Sequence, residues 1–259
     1  MDRLTYVLII VAIALVVIKA YDLAQPVTIS HPKTLIEPSI SEPSTASQDV
    51  KLKLTSKSVV FDQRNTTHSI YSDYAAFASL FADAGFKVNA AEDLDKTGVL
   101  VVQSDRYTEE ETAMILERAS KGMTLIMVGD RGSGINRLGI NLGIAFYPDY
   151  IYDLHNYQTV YKNIVISNFS NHSLTDGLQR IVLHESCSLD TFKDAITLAA
   201  ANGSAKSSLR KDSKFAVLAA SQLGTGKIFA ICDGDIFTNR NIMDFDNIVL
   251  AKNLVNWAA

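Results

Sequence analysis

The sequence predicts an α/β domain with a mainly parallel sheet flanked by helices, preceded by one N-terminal transmembrane helix. Three observations support this prediction. An apolar run lies near the N-terminus, a stretch rich in Ser, Thr and Pro follows it, and short apolar segments then alternate with amphipathic ones. We therefore expect three regions: an anchor over residues 1–21, a tether over 22–57 and a globular domain over 58–259.

Composition places the chain among ordinary globular proteins. Of its 259 residues, 47% are hydrophobic and 20% charged, and 24 basic against 28 acidic residues give a net charge of −4. These values exclude a wholly disordered chain or a fibre. The mild acidity also argues against a nucleic-acid partner, because such proteins normally carry a basic stripe. Two cysteines, Cys187 and Cys232, are too few for a disulfide scaffold.

The apolar run Leu4–Ala20 predicts a membrane anchor. Its centre, from Val7 to Ile18, has no polar residue, and a spanning helix needs about 17 to 25 largely apolar residues. A cleaved signal peptide is the alternative. Against it, Arg3 is offset by Asp2 and no small-x-small cleavage site follows closely. We expect a single-pass protein of the cell membrane.

Two weaker signs predict that the domain is extracytoplasmic. Lys and Arg are nearly balanced on the two flanks of the apolar run, so the charge rule does not decide the orientation. A tether rich in Ser, Thr and Pro is typical of stalks outside a membrane, and four Asn-x-Ser/Thr sequons occur in the domain. The candidate glycosylation sites are Asn65, Asn168, Asn171 and Asn202.

The first half of the domain has the order β-α-β-β-α-β. The first helix is predicted over Thr67–Ala84, with apolar residues at helical spacing and Gly85 at its end. The second helix begins at the capping box Thr108 to Glu111. The connections are long enough for parallel pairing of the strands. The predicted strands are Ser58–Phe61, Phe86–Ala90, Val99–Val102 and Met123–Val128.

The second half of the domain is less regular. Its segments include an antiparallel pair around a polar loop, and a last helix capped by Asp246 or Asn247. The predicted elements are a short helix over Ile135–Leu142, strands over Ile164–Ile166 and Ile181–Leu183, the antiparallel pair Ala195–Ala200 and Phe215–Ala219, and a last strand over Lys227–Cys232.

Polar groups follow four of the predicted strands. Ligands of open α/β sheets bind beyond the carboxyl ends of parallel strands, so we expect these groups to meet on one rim. We predict no catalytic residue. The predicted ligand-binding residues are Asp62, His68, Asp130, Arg131, Asp233, Asp235 and Asn239.

Two motifs on this rim partly resemble known ion-binding motifs, but neither matches one fully. The turn from Gly129 to Gly134 could cradle an anion but lacks the Walker A lysine, so a tight turn is favoured. The oxygen-rich stretch from Asp233 to Asp246 lacks the spacing of an EF-hand. We therefore expect no metal and no cofactor. A metal-assisted hydrolase using Asp130, Asp233 and Asp235 remains an alternative.

The cysteines are predicted to be structural. Acidic residues follow Cys232, and negative charge disfavours a reactive thiolate. Cys187 lies three residues from His184 on a predicted strand, so the two side chains point to opposite faces. A Cys187–Cys232 disulfide stays open, because the sequence does not show whether the two strands are neighbours.

Several strings, taken in order over residues 58–259, resemble the class I glutamine amidotransferase-like superfamily in its non-catalytic, membrane-associated GIFT-type branch. That branch includes gliding-motility ABC-transporter accessory proteins, an intraflagellar transport protein and a non-catalytic oligosaccharyltransferase subunit. The resemblance implies a flavodoxin-like fold. The strings are Thr67–Ser69, Ala84–Phe86, Gly134–Phe146, Asp153–Tyr157, His172–Leu178 and the ending from Gly224 to Asn247.

The chain departs from the superfamily at the nucleophile. Active members place a cysteine at a strand-to-helix elbow, and the equivalent turn here is Val128–Gly132, with Asp130 at its centre. His184 and Glu185 resemble the partner pair but have no nucleophile to activate. The resemblance therefore implies the fold without the amidotransferase reaction.

These observations predict a non-catalytic, membrane-anchored domain. We expect a scaffold or ligand-sensing subunit of a membrane complex, such as a transporter or a glycan-transfer system, with protein partners in that complex and no nucleic acid. The alternatives are the metal-assisted hydrolase or transferase and a small-ligand receptor at the same rim.

Overall fold

A computed structural model describes residues 57–259, except 65, 67, 92–97, 104–106, 132–133 and 213. The predicted anchor, the predicted tether apart from Lys57, and the sequon at Asn65 lie outside the described residues. Within the described ranges, no helix combines the length and the apolar character that crossing a membrane requires.

Helices and strands follow one another along the described chain in the predicted α/β manner. They are β1 Ser58–Asp62, α1 Ala75–Asp83, β2 Lys87–Ala91, β3 Val99–Val102, α2 Glu109–Ser120, β4 Thr124–Val128, α3 Asn136–Gly139 with a 3-10 turn Ile140–Leu142, β5 Ile144–Phe146, β6 Ile151–Tyr152, β7 Asn163–Ile166, β8 Asn168–Phe169, β9 Ile181–His184, β10 Leu189–Thr191, β11 Ile196–Ala200, β12 Lys206–Ser207, β13 Ala216–Leu223, β14 Gly226–Ile231 and α4 Asn247–Ala258.

The main sheet is mixed. Its strand order is β2-β1-β3-β4-β14-β13-β10-β5, and β11 pairs with both β13 and β8. The five strands from β2 to β14 are parallel neighbours, whereas β13 and the strands beyond it pair antiparallel. The α/β prediction is confirmed, and the parallel arrangement is confined to one half of the sheet. The predicted antiparallel pair is confirmed as β11 and β13.

Side chains alternate across the parallel strands and fill one core on each face of the sheet. In β1, Val59 and Phe61 belong to the core under α1 and α4, whereas Val60 belongs to the core under α2 and α3. Phe61 meets Phe77 and Phe81 of α1 edge to face, with 5.8 Å between ring centroids in both pairs. Burying each ring contributes about 2 kcal/mol, so these contacts fix α1 on the sheet.

The start of α1 differs from the prediction. The helix begins at Ala75 rather than near Thr67, because a contact from a distant loop holds its first turn. The Asn239 side chain accepts a hydrogen bond from the Ala76 N–H at 2.8 Å and donates one to the Ser72 carbonyl. Residues 68–74 therefore remain outside the helix and are free to approach the carboxyl edge of the sheet.

The start of α2 is as predicted. The Thr108 hydroxyl accepts the Glu111 N–H at 3.2 Å, and the Glu111 carboxylate accepts the Thr108 N–H at 2.8 Å. Both partners of this capping box lie within four residues, which is why the sequence pattern alone identifies it.

Gly226, at the start of β14, provides a test of the packing between α2 and the sheet. A Cβ at this position would collide with backbone atoms of Ala119 and Met123, so the backbone itself must shift. We expect Gly226→Ala to lower the free energy of unfolding by about 2 kcal/mol or more. Gly203→Ala is the control, because a Cβ there meets no atom within 4 Å. Urea denaturation measures both, and equal small effects would contradict this packing.

Candidate functional site

A polar cleft of about 720 Å³ opens at the carboxyl edge of the parallel strands. It is built from the segment before α1, the end of β9, the long loop between β14 and α4, and the β7 hairpin, in which Tyr157 pairs with Ile164 of β7. Its lining residues are His68, Asp73, Gln158, Thr159, Asn163, His184, Glu185, Asp235, Thr238, Asn239, Arg240, Asn241 and Asp244.

One wall of the cleft carries an ion pair between His68 and Asp235. The His68 Nε2 lies 3.3 Å from the Asp235 Oδ1, and the His68 ring stacks on the buried Tyr74 with 5.2 Å between centroids. The hydrogen bond to Asp235 raises the pKa of His68 above its ordinary value. The same bond lowers the pKa of Asp235. The pair therefore favours the protonated form of His68.

Asp233 is fully buried behind this pair. Its carboxylate accepts the His184 N–H at 2.7 Å and the Asp235 N–H at 2.8 Å. Burial raises the pKa of Asp233 well above the ordinary range of a carboxyl. Because both of its oxygens accept backbone hydrogen bonds, Asp233 connects the end of β9 to the loop after β14. Both of these segments contribute residues to the cleft.

The opposite wall carries a second histidine. The His184 Nε2 lies 3.2 Å from the Asp244 Oδ2, without the alignment of a hydrogen bond. Burial lowers the pKa of His184, although Asp244 and Asp235 act in the other direction. The two imidazoles of the cleft thus have opposite tendencies, since His68 favours the charged form and His184 the neutral form.

Asp62 lies in a closed network outside the cleft lining. It is fully buried and accepts hydrogen bonds from the Arg64 backbone at 3.0 Å, from the Arg64 guanidinium, and from the Tyr107 hydroxyl at 2.6 Å. Arg64 also pairs with Glu111 of α2. Hydrogen bonding to Asp62 raises the pKa of Arg64, and burial raises that of Tyr107. The network holds α2 against the end of β1.

The other predicted ligand-binding residues have mixed roles. Asp130 is exposed and lies near His68, since a Cβ added at Gly234 would meet His68 Nε2 at 3.6 Å and Asp130 Oδ2 at 3.7 Å. Arg131 stands on the rim, 3.9 Å from Glu185. Asn239 lines the cleft, but its amide is used at the start of α1. The structure thus brings together His68, Asp130, Asp233 and Asp235.

No pattern in the sequence indicates the part of the cleft that the antiparallel pair β7 and β9 supplies. Gln158 and Asn163 belong to the β7 hairpin, and His184 ends β9, its partner in a separate two-stranded sheet. No local spacing signals that these residues meet the loop after β14. Asn241 and Asp244, in contrast, lie in the oxygen-rich stretch that the sequence singled out.

The metal and nucleophile alternatives gain no support from the described residues. Within them, no group of three or more His, Cys, Asp or Glu side chains is arranged to hold a metal ion. Cys187 and Cys232 are fully buried and joined as a disulfide, with 5.2 Å between Cα atoms. The disulfide left open by the sequence is therefore formed, and neither sulfur faces an imidazole of the cleft.

The sequons differ in their surroundings. Asn168 and Asn171 are exposed. The Asn202 amide donates to the Val165 carbonyl at 2.9 Å, and its oxygen accepts the Ser167 hydroxyl at 3.2 Å. Glycosylation of all these sites stays a prediction, and Asn202 would have to give up a backbone contact to be modified.

The His68–Asp235 pair predicts a pH-dependent stability. A raised histidine pKa contributes stability fully below the unfolded value of about 6.5, and the contribution is lost as pH rises through the folded pKa. Because the pKa of Asp235 is lowered, the contribution of the pair to stability is also lost as pH falls below about 4. Asp235→Asn should lower the free energy of unfolding by less than about 1 kcal/mol at about pH 5.5, because Asp235 is half exposed. The loss should be smaller at about pH 9.

Urea denaturation at the two pH values measures this difference. Asp212→Asn is the matched control, because Asp212 pairs with Arg210 at 2.6 Å and arginine does not titrate in this range. Its effect should be the same at both values. An equal cost of Asp235→Asn at both values would contradict the assignment of the charge to His68.

Solved structures share this fold at low identity. The N-terminal domain of mmIFT52 superposes with a TM-score of 0.66 at 14% identity, covering 77% of this chain and 96% of that one. The cytoplasmic proteins STM1381 and STM3548 of Salmonella typhimurium superpose with TM-scores of 0.53 and 0.52 at 10% and 11% identity. Each match covers 78% of this chain, and 99% and 98% of the respective Salmonella protein. No curated protein matches the chain.

The predicted localisation is corrected by these findings. Two of the similar structures are described as cytoplasmic proteins, and no described helix is able to cross a membrane. The prediction of a single-pass protein of the cell membrane with an extracytoplasmic domain gains no support from these findings. The apolar run on which it rested, Leu4–Ala20, lies outside the described residues.

The predicted superfamily is also corrected. A family model described as "Domain of unknown function (DUF4350)" matches residues 72–255, which is more than half of the chain. The assignment to the class I glutamine amidotransferase-like superfamily and its GIFT-type branch is wrong. The similarity to the mmIFT52 N-terminal domain, at 14% identity, shows the fold alone. The chain belongs to the DUF4350 family.

Proposed function

We propose that this domain binds a small, polar, non-anionic molecule in the carboxyl-edge cleft and does not transform it. The observation that carries this proposal is the cleft itself, about 720 Å³ in volume and lined by hydroxyl, amide and carboxylate groups. That volume lies within the range of small-molecule sites. The position also fits, since ligands of doubly wound, flavodoxin-like sheets bind beyond the carboxyl ends of parallel strands.

The charge of the cleft supports a ligand that is not an anion. Asp73, Asp235, Asp244 and Glu185 line it, against Arg240 and a His68 already paired with Asp235. Because Lys162 and Arg131 pair with Glu185, an anionic ligand would meet mainly the carboxylates of Asp73 and Asp244, whereas hydroxyl or ammonium groups can donate to them.

The pairing of the imidazoles argues against covalent catalysis by a side chain. Such catalysis needs a hydroxyl or a thiol beside the histidine that activates it. His68 and His184 instead face the carboxylates of Asp235 and Asp244, and both cysteines are held in the disulfide.

A surface next to the cleft supports the further proposal that the domain works with a protein partner. The segment that carries Gln158 also exposes apolar side chains to solvent. Leu154, Tyr157, Val160 and Tyr161 are 59%, 45%, 48% and 44% exposed. Exposed apolar groups that lie close together are typical of contact surfaces, so we propose a ligand-binding subunit rather than an isolated receptor.

Filling the cleft should abolish binding. Gln158 lines the cleft, and Gln158→Trp places a bulky ring there, whereas Gln179→Trp adds the same ring at an exposed site elsewhere. In a thermal-shift and calorimetric screen of matched neutral, amino and carboxylate sugars, we expect wild type and Gln179→Trp to be stabilised by a neutral or amino compound. We expect no stabilisation of Gln158→Trp, because ligand binding stabilises only the form that binds.

Three results would contradict the proposal. They are the absence of any stabilising compound, a preference for the carboxylate compound, and binding that survives Gln158→Trp. Nuclear magnetic resonance of the bound compound after incubation tests the second part of the proposal. Chemical conversion of the compound would show that the domain is an enzyme.

A further inference from the structure

A second pocket, of about 340 Å³, lies on the face of the sheet that carries α4. Among the described residues, none lines both this pocket and the carboxyl-edge cleft. Its floor includes Ile196 of β11 and Ala220 of β13, which are paired in the sheet, and Ile196 is 50% exposed. Trp257, near the end of α4, forms a wall. The pocket therefore offers an apolar surface to a small ligand.

Two hydrogen-bond donors lie beside the ring of Trp257. The Lys227 ammonium is 5.6 Å from the ring centroid, and the His172 ring meets it edge to face at 6.3 Å. Lys227 Nζ donates to the Trp257 carbonyl at 2.7 Å, which uses one of its three hydrogens. His172 Nδ1 accepts the Leu174 N–H at 3.1 Å, so the proton of the neutral ring is on Nε2. The described residues supply no partner for these remaining donors, and such donors suit a carboxylate.

A carboxylate lies on the other side of the pocket. Asp194 lines it just before β11, is exposed, and makes no hydrogen bond or ion pair within the described part of the chain. Strand β13 separates β11 from β14, which carries Lys227. Neighbouring strands are about 4.8 Å apart, so the strands that lead to the two charges are about 10 Å apart. The pocket therefore has a negative end and a positive end.

The two charges determine which ligand fits. Asp194 would repel a simple anion and Lys227 a simple cation, whereas a zwitterion satisfies both groups. An α-amino acid carries both charges on one carbon atom. An extended dipeptide separates its ammonium and carboxylate by about 7 Å, so it reaches from one side of β13 to the other. Apolar side chains of the dipeptide would cover the floor and the wall.

We propose that this pocket binds a free dipeptide with apolar side chains. The carboxylate of the dipeptide accepts hydrogen bonds from Lys227 and His172, and its ammonium donates to Asp194. Its side chains pack on Trp257 and Ile196. The inference goes beyond the proposed function and does not depend on it, because the two pockets are lined by different residues.

The fluorescence of Trp257 tests the proposal directly, because the sequence contains one tryptophan. The full chain is titrated with leucyl-leucine, with N-acetyl-leucyl-leucine, which lacks the ammonium, and with leucyl-leucinamide, which lacks the carboxylate. Calorimetry measures the same affinities independently. Leucyl-leucine should change the fluorescence. Each blocked form should bind about 5-fold more weakly, the scale of one exposed charge pair, and leucine should also bind more weakly than leucyl-leucine.

Variants of the two charged residues assign the ends of the dipeptide. Asp194→Asn should bind leucyl-leucine as weakly as wild type binds the acetylated form, and acetylation should weaken its binding no further. Lys227→Met should behave in the same way toward the amide. Asp194→Glu and Lys227→Arg keep the charges and should retain binding. The controls are Glu109→Gln on α2 and Lys87→Met on β2, which are exposed, lie outside both pockets and should bind as wild type does.

Folding of the variants is checked by melting temperature, which should stay within about 5 °C of wild type. Lys227→Gln replaces Lys227→Met if that variant does not fold, because a glutamine can still donate to the Trp257 carbonyl. Asp194→Asn keeps the shape of a side chain that makes no hydrogen bond or ion pair with the described residues.

Four results would overturn the dipeptide site. They are the absence of any fluorescence change or heat with leucyl-leucine, equal affinity for the blocked forms, equal affinity for leucine, and unchanged affinity in both Asp194→Asn and Lys227→Met. Each of them leaves the proposed function of the cleft standing, because that function is measured with sugars and with the Gln158→Trp variant.

Discussion

A carboxylate that is removed from water must find hydrogen-bond donors, and Asp233 finds two of them in the backbone. One is the amide of His184 at the end of β9, and the other is the amide of Asp235 in the loop after β14. The first belongs to the antiparallel part of the fold and the second follows the parallel part. This buried group therefore joins the two parts at the edge of the sheet where the cleft opens.

The pKa values of the two histidines in the cleft are shifted in opposite directions, because their surroundings differ. His68 is partly buried but hydrogen-bonded to Asp235, and that contact outweighs the desolvation of its charged form. His184 is more deeply placed, and desolvation outweighs the neighbouring carboxylates. The charged form is thus favoured at His68 on one wall of the cleft, and the neutral form at His184 on the other. This arrangement suits a molecule that both accepts and donates hydrogen bonds.

The correction of the family has a physical explanation. The strings that suggested the amidotransferase-like superfamily lie at turns, helix starts and strand ends, such as Ala84–Phe86 and Gly134–Phe146. At Gly139, a Cβ would collide with the Ile144 carbonyl. Glycine is therefore required there because two backbone segments come close together. The residues at such positions are set by the backbone geometry of an α/β fold rather than by a catalytic function. They therefore recur in families with different functions.

Local patterns in the sequence determined the elements whose stabilising partners are close in the chain. The capping box of α2, the buried strands and the antiparallel pair β11 and β13 follow from spacing over a few residues. The start of α1 did not, because Asn239, more than 150 residues away, holds its first turn. The sequence also placed Asp233, Asp235 and Asp130 on one rim, since parallel strands end at the same edge.

Only the tertiary structure decided which groups complete the site. His184 enters the cleft through the pairing of β7 with β9 and the contact with Asp233, and no spacing along the chain encodes either. Asp235 and Asp244 likewise reach the two imidazoles only through the loop after β14. The pKa of each histidine then depends on its burial and on carboxylates that folding brings near it, and neither is encoded by neighbouring residues in the sequence.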